Sequence, residues 1–327
     1  MDTRCAAMKG GGAVRRNPTK AMNITVLMGG PSAEREVSLM SGSAIAEALE
    51  RVGHRVARAD IGPGDVSALD REGIDVVFIA LHGQFGESGE VQAICERKAL
   101  RYTGSSPLAS RLALDKAAAK QIFRRNGLPT PDWMILEDFH SPRQIQGWLP
   151  ELDVPVVVKP VDGGSSVDIT IARSPAQRDA AIGELIDKYG RVMLERAVQG
   201  RELTVGILGD EALPVLEIIP AREFYDYTAK YADGAGTRYV FDHGLSDEVV
   251  RATQAAALTA HNCLGCRDMS RVDFILDAEG VPQVLETNTI PGFTGHSLLP
   301  MAAARIGISF EQLVDRIANM AMRRETA

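Results

Sequence analysis

The sequence predicts a mixed α/β and α+β protein whose first part is a parallel-sheet, Rossmann-like domain. Three observations carry this. The apolar runs at 23–28 and 74–81 each end in a glycine-bearing loop, and the first continues into a helical pattern through Leu49. That is the strand–turn–helix order of a parallel α/β unit. A β-rich run, Val-Pro-Val-Val-Val-Lys at 154–159, precedes a second glycine- and serine-rich loop. Residues 270–300 then read as two strands about a turn, followed by a loop and a helix, the pattern of a β-hairpin.

Composition bounds the function. The 327 residues, 45% hydrophobic, suffice for two or three domains. A net charge of -7, from 36 basic and 43 acidic residues, argues against a nucleic-acid partner. No apolar run approaches the ~20 residues of a membrane span, so no membrane association is expected. Cys5, Cys95, Cys263 and Cys266 are too few and too scattered for a disulfide framework and fit a reducing cytoplasm. Cys263 and Cys266 form a C-x-x-C with no second pair, better read as small core-facing residues than as a zinc or redox site. Residues 1–21 are basic and glycine-rich without the apolar core of a secretory signal. They are expected to be a disordered extension, or to precede a start at Met22.

Along the chain, the strand at 23–28 enters Gly29-Gly-Pro-Ser-Ala-Glu34 and a helix. The loop is neither G-x-G-x-x-G nor a Walker motif, so its glycines serve equally well as a tight turn. Glu34, at the helix start, suits either a substrate ammonium group or the helix dipole. The run at 74–81 leads into His82-Gly-Gln-Phe-Gly-Glu-Ser-Gly89, at a strand C-terminus where α/β sheets bind ligands. Asp115 is a plausible N-cap for the helix that follows. Lys116 in its first turn runs against the dipole, and either a bound phosphate or simple solvation explains it. Gly127-Leu-Pro-Thr-Pro131 ends that helix and marks a change of domain. Lys159 closes the strand at 154–159, and the backbone N–H groups of Val161-Asp-Gly-Gly-Ser-Ser166 suit the wrapping of phosphate oxygens. Another strand spans 192–198. Residues 224–239 carry tyrosines, Lys230 and glycines in the manner of a lid. An alanine-rich helix covers 246–264, and a closing helix covers 308–322.

The hairpin carries the chemistry. Its strands, at 272–276 and 281–285 about a turn at 277–280, can bring Asp273 beside Glu286. Glu286 and Asn288 share one side of an extended segment, as do Arg271 and Asp273. Two carboxylates and an amide oxygen form a hard, all-oxygen set suited to Mg²⁺ with phosphate oxygens as further ligands. Arg271 suits an oxyanion beside the metal.

Arg271-Val-Asp273, Glu286-Thr-Asn288-Thr and Pro291-Gly292-Phe-Thr-Gly-His-Ser297-Leu298 resemble the C-terminal signature of the D-alanine–D-alanine ligase family, in the ATP-grasp superfamily. Gly29-Gly-Pro-Ser-Ala-Glu-Arg-Glu-Val-Ser-Leu39 and Tyr225-Asp-Tyr-Thr-Ala-Lys230-Tyr231 resemble two further family motifs, and the likeness covers almost all of 22–322. It implies a three-domain ATP-grasp architecture: an N-terminal α/β domain over 22–115, a central lobe over 116–200 and a catalytic lobe over 201–327. ATP would lie between the last two. The implied reaction joins two D-alanines through an acyl phosphate, releasing ADP and phosphate, for peptidoglycan precursors in the cytoplasm. Two Mg²⁺ ions (Mn²⁺ substituting) would be held by Asp273, Glu286 and Asn288.

The family's nucleotide contacts map onto Lys116, Lys159, Glu195, Val198, Glu202 and Lys230. Glu34, through Ser165 and Tyr231, would anchor the first ammonium group, with His82 near its carboxylate. Arg271 and the Gly292 N–H would hold the oxyanion, and Ser297 and Leu298 the second carboxylate. Tyr231 favours D-alanine over D-lactate as acceptor, and a homodimer follows by analogy. Asp168, Phe293, Gly295 and the run at 241–245 depart from the family pattern. Two alternatives stay open: another carboxylate–amine or D-alanine–D-lactate ligase, and a nucleotide-binding regulator on a ligase scaffold.

Overall fold

The computed structural model describes residues 21–138, 140, 147, 152–164, 168–220, 236–295 and 297–325. Ser165, Lys230, Tyr231 and most of the expected lid lie outside them.

Strands β1 (Asn23–Met28), β2 (Arg55–Asp60) and β3 (Val76–Ile79) form a parallel sheet in the order β2-β1-β3. β1 and β3 are apolar almost throughout because both faces are covered. Helix α1 (Arg35–Arg51) joins β1 to β2. A Cβ at Gly42 would fall 2.5 Å from Met28 Cβ, so glycine lets α1 lie close on β1. The strand expected over 74–81 is assigned only over Val76–Ile79, but Asp75 N and Ala80 N also donate to Asn23 O and Leu27 O of β1. Its outer edge is closed by residues 101–103, with Val77 N donating to Arg101 O and Thr103 N to Val77 O. Helices α2 (Gln84–Glu87), α3 (Glu90–Arg97), α4 (Pro107–Leu114) and α5 (Lys116–Arg125) follow.

Strands β4 (Trp133–Glu137), β5 (Val156–Pro160), β6 (Thr170–Ala172) and β7 (Arg191–Arg196) form an antiparallel sheet in the order β4-β7-β5-β6. Helix α6 (Pro175–Tyr189) covers it through Ala181, Ile182 and Leu185.

The third sheet comprises β8 (Arg201–Leu208), β9 (Glu211–Ala212), β10 (Leu216–Ile219), β11 (Arg238–Val240), β12 (Met269–Leu276) and β13 (Pro282–Asn288). Its order is β11-β10-β8-β12-β13, with β9 turned back on β8. Helix α7 (Asp247–Cys263), capped by the Ser246 hydroxyl, packs Ala256, Ala257 and Ala260 behind the hairpin. Helices α8 (Leu298–Arg305) and α9 (Phe310–Arg323) follow, the latter opened by a Ser309–Gln312 capping box.

Each sheet lies within one of the three expected chain segments, but the hydrophobic clusters run across them. Ala119 and Phe123 of α5 share a cluster with Leu203, Val205, Val272 and Phe274 of the third sheet. Leu313, Ile317 and Ala321 of α9 return to the first sheet, against Val26, Ile45 and Phe78. These two crossings fix the lobes about the place where the polar residues converge.

Candidate active site

The β12–β13 hairpin forms the floor of the site. Its register sets Asp273 opposite Glu286 and Arg271 opposite Asn288, with an irregularity directly after Asp273. The pairing expected from the sequence is therefore present. Arg271 grips Asp273 with two parallel bonds, Nε to Oδ1 at 2.9 Å and Nη2 to Oδ2 at 2.7 Å. Thr204, facing Asp273 from β8, donates to Oδ1 at 2.6 Å. Asn288 Oδ1 accepts from the Ile290 amide at 3.0 Å, which turns the chain off the strand toward Gly292.

Lys116 faces this floor. Asp115 caps α5 by accepting from Ala118 N at 2.8 Å and is itself held by Arg191 of β7 at 3.0 Å. The lysine behind that cap is 6% exposed, so the solvated alternative does not hold. Its Nζ lies 3.2 Å from Glu286 Oε2 and donates to the Gly163 carbonyl. The second lysine, Lys159, shares a cleft with Lys116, Gly163, Gly164 and Glu286. It donates to Glu195 Oε1 at 2.6 Å. A third lysine, Lys120, stands 2.6 Å from Glu195 Oε2, so each oxygen of this buried carboxylate has one ammonium group against it. Burial opposes the Glu195 charge, but Lys159 and Lys120 outweigh it and hold the carboxyl below its ordinary value. Val198 and Glu202, both half-buried, lie just beyond, where β7 passes into β8.

On the far side, Glu34 occupies the N-cap position of α1 without making a capping bond. It lines the cleft with His82, Arg271 and Glu286. His82 is buried, and its Nε2 lies 3.1 Å from Ser41 Oγ. Ser41 also accepts from the Phe293 amide at 3.4 Å, which joins His82 to the 291–297 loop. Sequence reasoning missed Glu87, whose Oε1 lies 3.8 Å from His82 Nδ1 in the same cleft. Burial pushes the Glu87 carboxyl up, against the pull of His82 and with a further push from Glu34 and Glu286. An acid placed five residues after a histidine in a glycine-rich loop was the available signal.

Gly292, Ser297 and Leu298 border the cleft from the C-terminal side. A Cβ on Gly292 would stand 3.0 Å from Ser297 Oγ. That hydroxyl accepts from Thr294 N at 2.9 Å and makes no capping bond to α8, so the first turn of α8 has no side-chain cap. The Phe293 ring turns into the core, edge-on to Phe78 at 6.1 Å, while a Cβ at Gly295 would meet open space.

Asp168 adopts φ +57°, the left-handed conformation a glycine would take there, and its carboxylate is held by Lys188 at 2.5 Å and by the Tyr189 hydroxyl. Cys266 is buried and Cys263 half-buried; burial pushes both thiols up, that of Cys266 to about 12. Among the described residues no group of three or more His, Cys, Asp or Glu is placed to hold a metal ion.

Two antiparallel sheets, with Lys116 and Lys159 set against a carboxylate-bearing hairpin, beside a parallel-sheet domain define an ATP-grasp protein. Residues 122–319 match the family model described as D-ala D-ala ligase C-terminus. The D-alanine–D-alanine ligase of Gloeobacter violaceus is 43% identical over 302 residues, covering 92% of this chain and all 100% of that one. The crystal structure of the Bacillus anthracis D-alanine–D-alanine ligase complexed with ATP superposes with a TM-score of 0.81 at 32% identity, covering 93% of this chain and 98% of that one. VanG D-Ala:D-Ser ligase from Enterococcus faecalis gives 0.82 at 28% identity, covering 92% and 100%. The chain belongs to the D-alanine–D-alanine ligase family.

Proposed function

We propose that the chain joins two D-alanines at the expense of ATP, as an acid–amino-acid ligase forming a carbon–nitrogen bond. The first alanine's carboxylate attacks the γ-phosphorus, and ADP leaves. The second alanine's free amine attacks the acyl phosphate carbonyl, and phosphate leaves from the tetrahedral species. The observation that carries this is Glu286, with Asp273 opposite it on the hairpin and Lys116 as its cationic neighbour, in one cleft with Arg271, Glu34 and His82.

Each role rests on chemistry at a named atom. Lys116 and Lys159 offset charge on the transferring phosphoryl group. Beyond Glu195 the backbone through Val198 suits the adenine edge, and the Glu202 carboxylate suits the ribose hydroxyls. Asp273, Glu286 and Asn288 form an oxygen-only set that fits Mg²⁺ or Mn²⁺, which when bound neutralises the phosphates and draws charge from the γ-phosphorus. Glu34 accepts the first ammonium group, while His82, steered by Ser41 and Glu87, meets the carboxylate. Arg271 and Gly292 N–H take the oxyanion, and the first turn of α8 at Ser297 and Leu298 takes the second carboxylate. Ser165, Lys230 and Tyr231 complete the set by family likeness. So do the divisions at 115/116 and 200/201, the homodimer and a cytoplasmic setting. Among the described residues no helix is long and apolar enough to cross a membrane.

The test is phosphate release with ATP and Mg²⁺, using equal D-alanine, D-lactate and D-serine, with products separated by mass. Mostly D-alanyl-D-alanine is expected. Mostly ester or D-serine product overturns the acceptor assignment, and no release overturns the ligase assignment.

A further inference from the structure

Lys120 has no part in the reaction above, yet its side chain is 0% exposed. A lysine is almost never fully buried unless paired, because its ammonium group loses its hydration. Here it meets side chains from two strands and the connection between α5 and β4. Its Nζ lies 2.6 Å from Glu195 Oε2 on β7, donates to Thr130 Oγ1 at 2.5 Å, and stands 5.4 Å from the centre of the Trp133 ring on β4. Thr130 in turn donates to the Val284 carbonyl at 2.7 Å, two residues before Glu286 on β13.

Glu195 thus carries one lysine on each oxygen, and the two differ in what they reach. Lys159 opens onto the cleft with Lys116, Gly163 and Glu286. Lys120 is sealed behind Glu195. For Lys159 to swing to a phosphate it must release a carboxylate that is 2% exposed. Left alone, that charge would be a buried ion without a partner, a large penalty. We propose that Lys120 is a positioning residue for the nucleotide: it keeps Glu195 neutralised so that Lys159 is free to turn to the triphosphate. This rests on the ATP-dependent reaction proposed above. It also explains two buried lysines against one carboxylate, since a structural ion pair needs only one.

The experiment uses the full chain and its variants Lys120→Met and Lys120→Met/Glu195→Gln, with steady-state phosphate release at varied ATP. In Lys120→Met, Lys159 stays on Glu195. The KM for ATP rises about tenfold or more, while kcat at saturating ATP changes about threefold or less. The double variant removes the charge that traps Lys159, so it recovers several-fold in KM relative to the single. A purely structural lysine predicts the opposite, a double variant no better than the single. Should Lys120→Met not fold, the double variant, which has no unpaired buried carboxylate and leaves Lys159 at the cleft, decides: a KM within about tenfold of wild type supports the proposal, and a larger loss overturns it. A folded Lys120→Met with wild-type KM overturns it too. A wild-type chain that releases no phosphate instead removes the ligase function on which it rests.

Discussion

At the residue scale, charge decides. Glu286 faces Lys116 at 3.2 Å and Asp273 across the hairpin, so its carboxylate has both a cation and a second acid as neighbours. Glu286→Gln keeps the shape and removes one charge where ATP brings several more of the same sign. Turnover should fall about 10²–10³-fold with the melting temperature little changed; near wild-type phosphate release at saturating Mg²⁺ would sink the metal assignment. His261 behaves differently. It is 3% exposed, its Nδ1 lies 2.7 Å from Ser270 Oγ, and burial holds it down at about 4 from an ordinary 6.5, Asp210 opposing. The folded chain keeps it neutral while the unfolded chain takes up a proton below 6.5. Its contribution is therefore complete above that pH and is lost as the pH falls toward about 4. About 2 kcal/mol should be gone by pH 5. Urea unfolding at pH 7.5 and 5 checks this: His261→Gln should lose less stability between them than wild type, and equal losses would contradict it.

At the element scale, the turn into β6 shows how a departure from family pattern is accommodated. Asp168 sits at φ +57°, where aspartate is more tolerant than most residues but glycine is better. Lys188, its partner, is 54% exposed, so that ion pair offsets little of the strain. Asp168→Gly should therefore shift stability by less than ~1 kcal/mol and preserve activity, whereas Asp168→Val should cost more. A loss of several kcal/mol in the glycine variant, measured by urea unfolding, would mean that the carboxylate bonds outweigh the backbone. Elements of this kind were legible wherever a local rule acts. The Asp115 cap, the strand ending at Lys159 and the Asp273–Glu286 register follow from side-chain chemistry and strand periodicity within a few residues. Glu87 was missed because a four-residue helix, α2, has no periodicity to mark it, which leaves only its spacing from His82 as a signal. What closes the outer edge of β3 was hidden too, since residues 101–103 lie more than twenty positions away.

At the scale of the whole molecule, a parallel-sheet unit followed by two further strand-bearing segments was readable, but not the strand order within each sheet or which helix serves which sheet. The apolar stripe of α5 says that Ala119 and Phe123 are buried, and nothing local says that they face Val272 and Phe274. The same holds for α9, which crosses back to the first sheet and closes the chain on itself. That closure bears on residues 1–21, expected to be dispensable. Met22 is 4% exposed and already belongs to the core with Leu313 and Ile317. Its amide donates to His54 Nδ1 at 3.1 Å, and its carbonyl accepts from Arg55 N at 2.9 Å. His54 Nε2 lies 2.9 Å from Asp315 Oδ1 on α9, so the entry to β1 and the last helix are joined through one imidazole. A chain starting at Ala21 retains all of these contacts. One starting at Met22 places an α-amino group, ordinarily near pKa 7.7–8.0, at the buried position of that amide, where burial favours its neutral form. One starting at Asn23 loses the Met22 side chain and both backbone bonds. Loss of a buried methionine costs about 2–5 kcal/mol. At roughly 2–4 °C per kcal/mol for a large domain, that is several degrees or more. Thermal melts and phosphate release for the full-length chain and the three truncations should thus run full length ≈ Ala21 start, then Met22 start slightly lower, then Asn23 start clearly lower. A drop of many degrees already at the Ala21 start would show that the first twenty residues contribute to the fold.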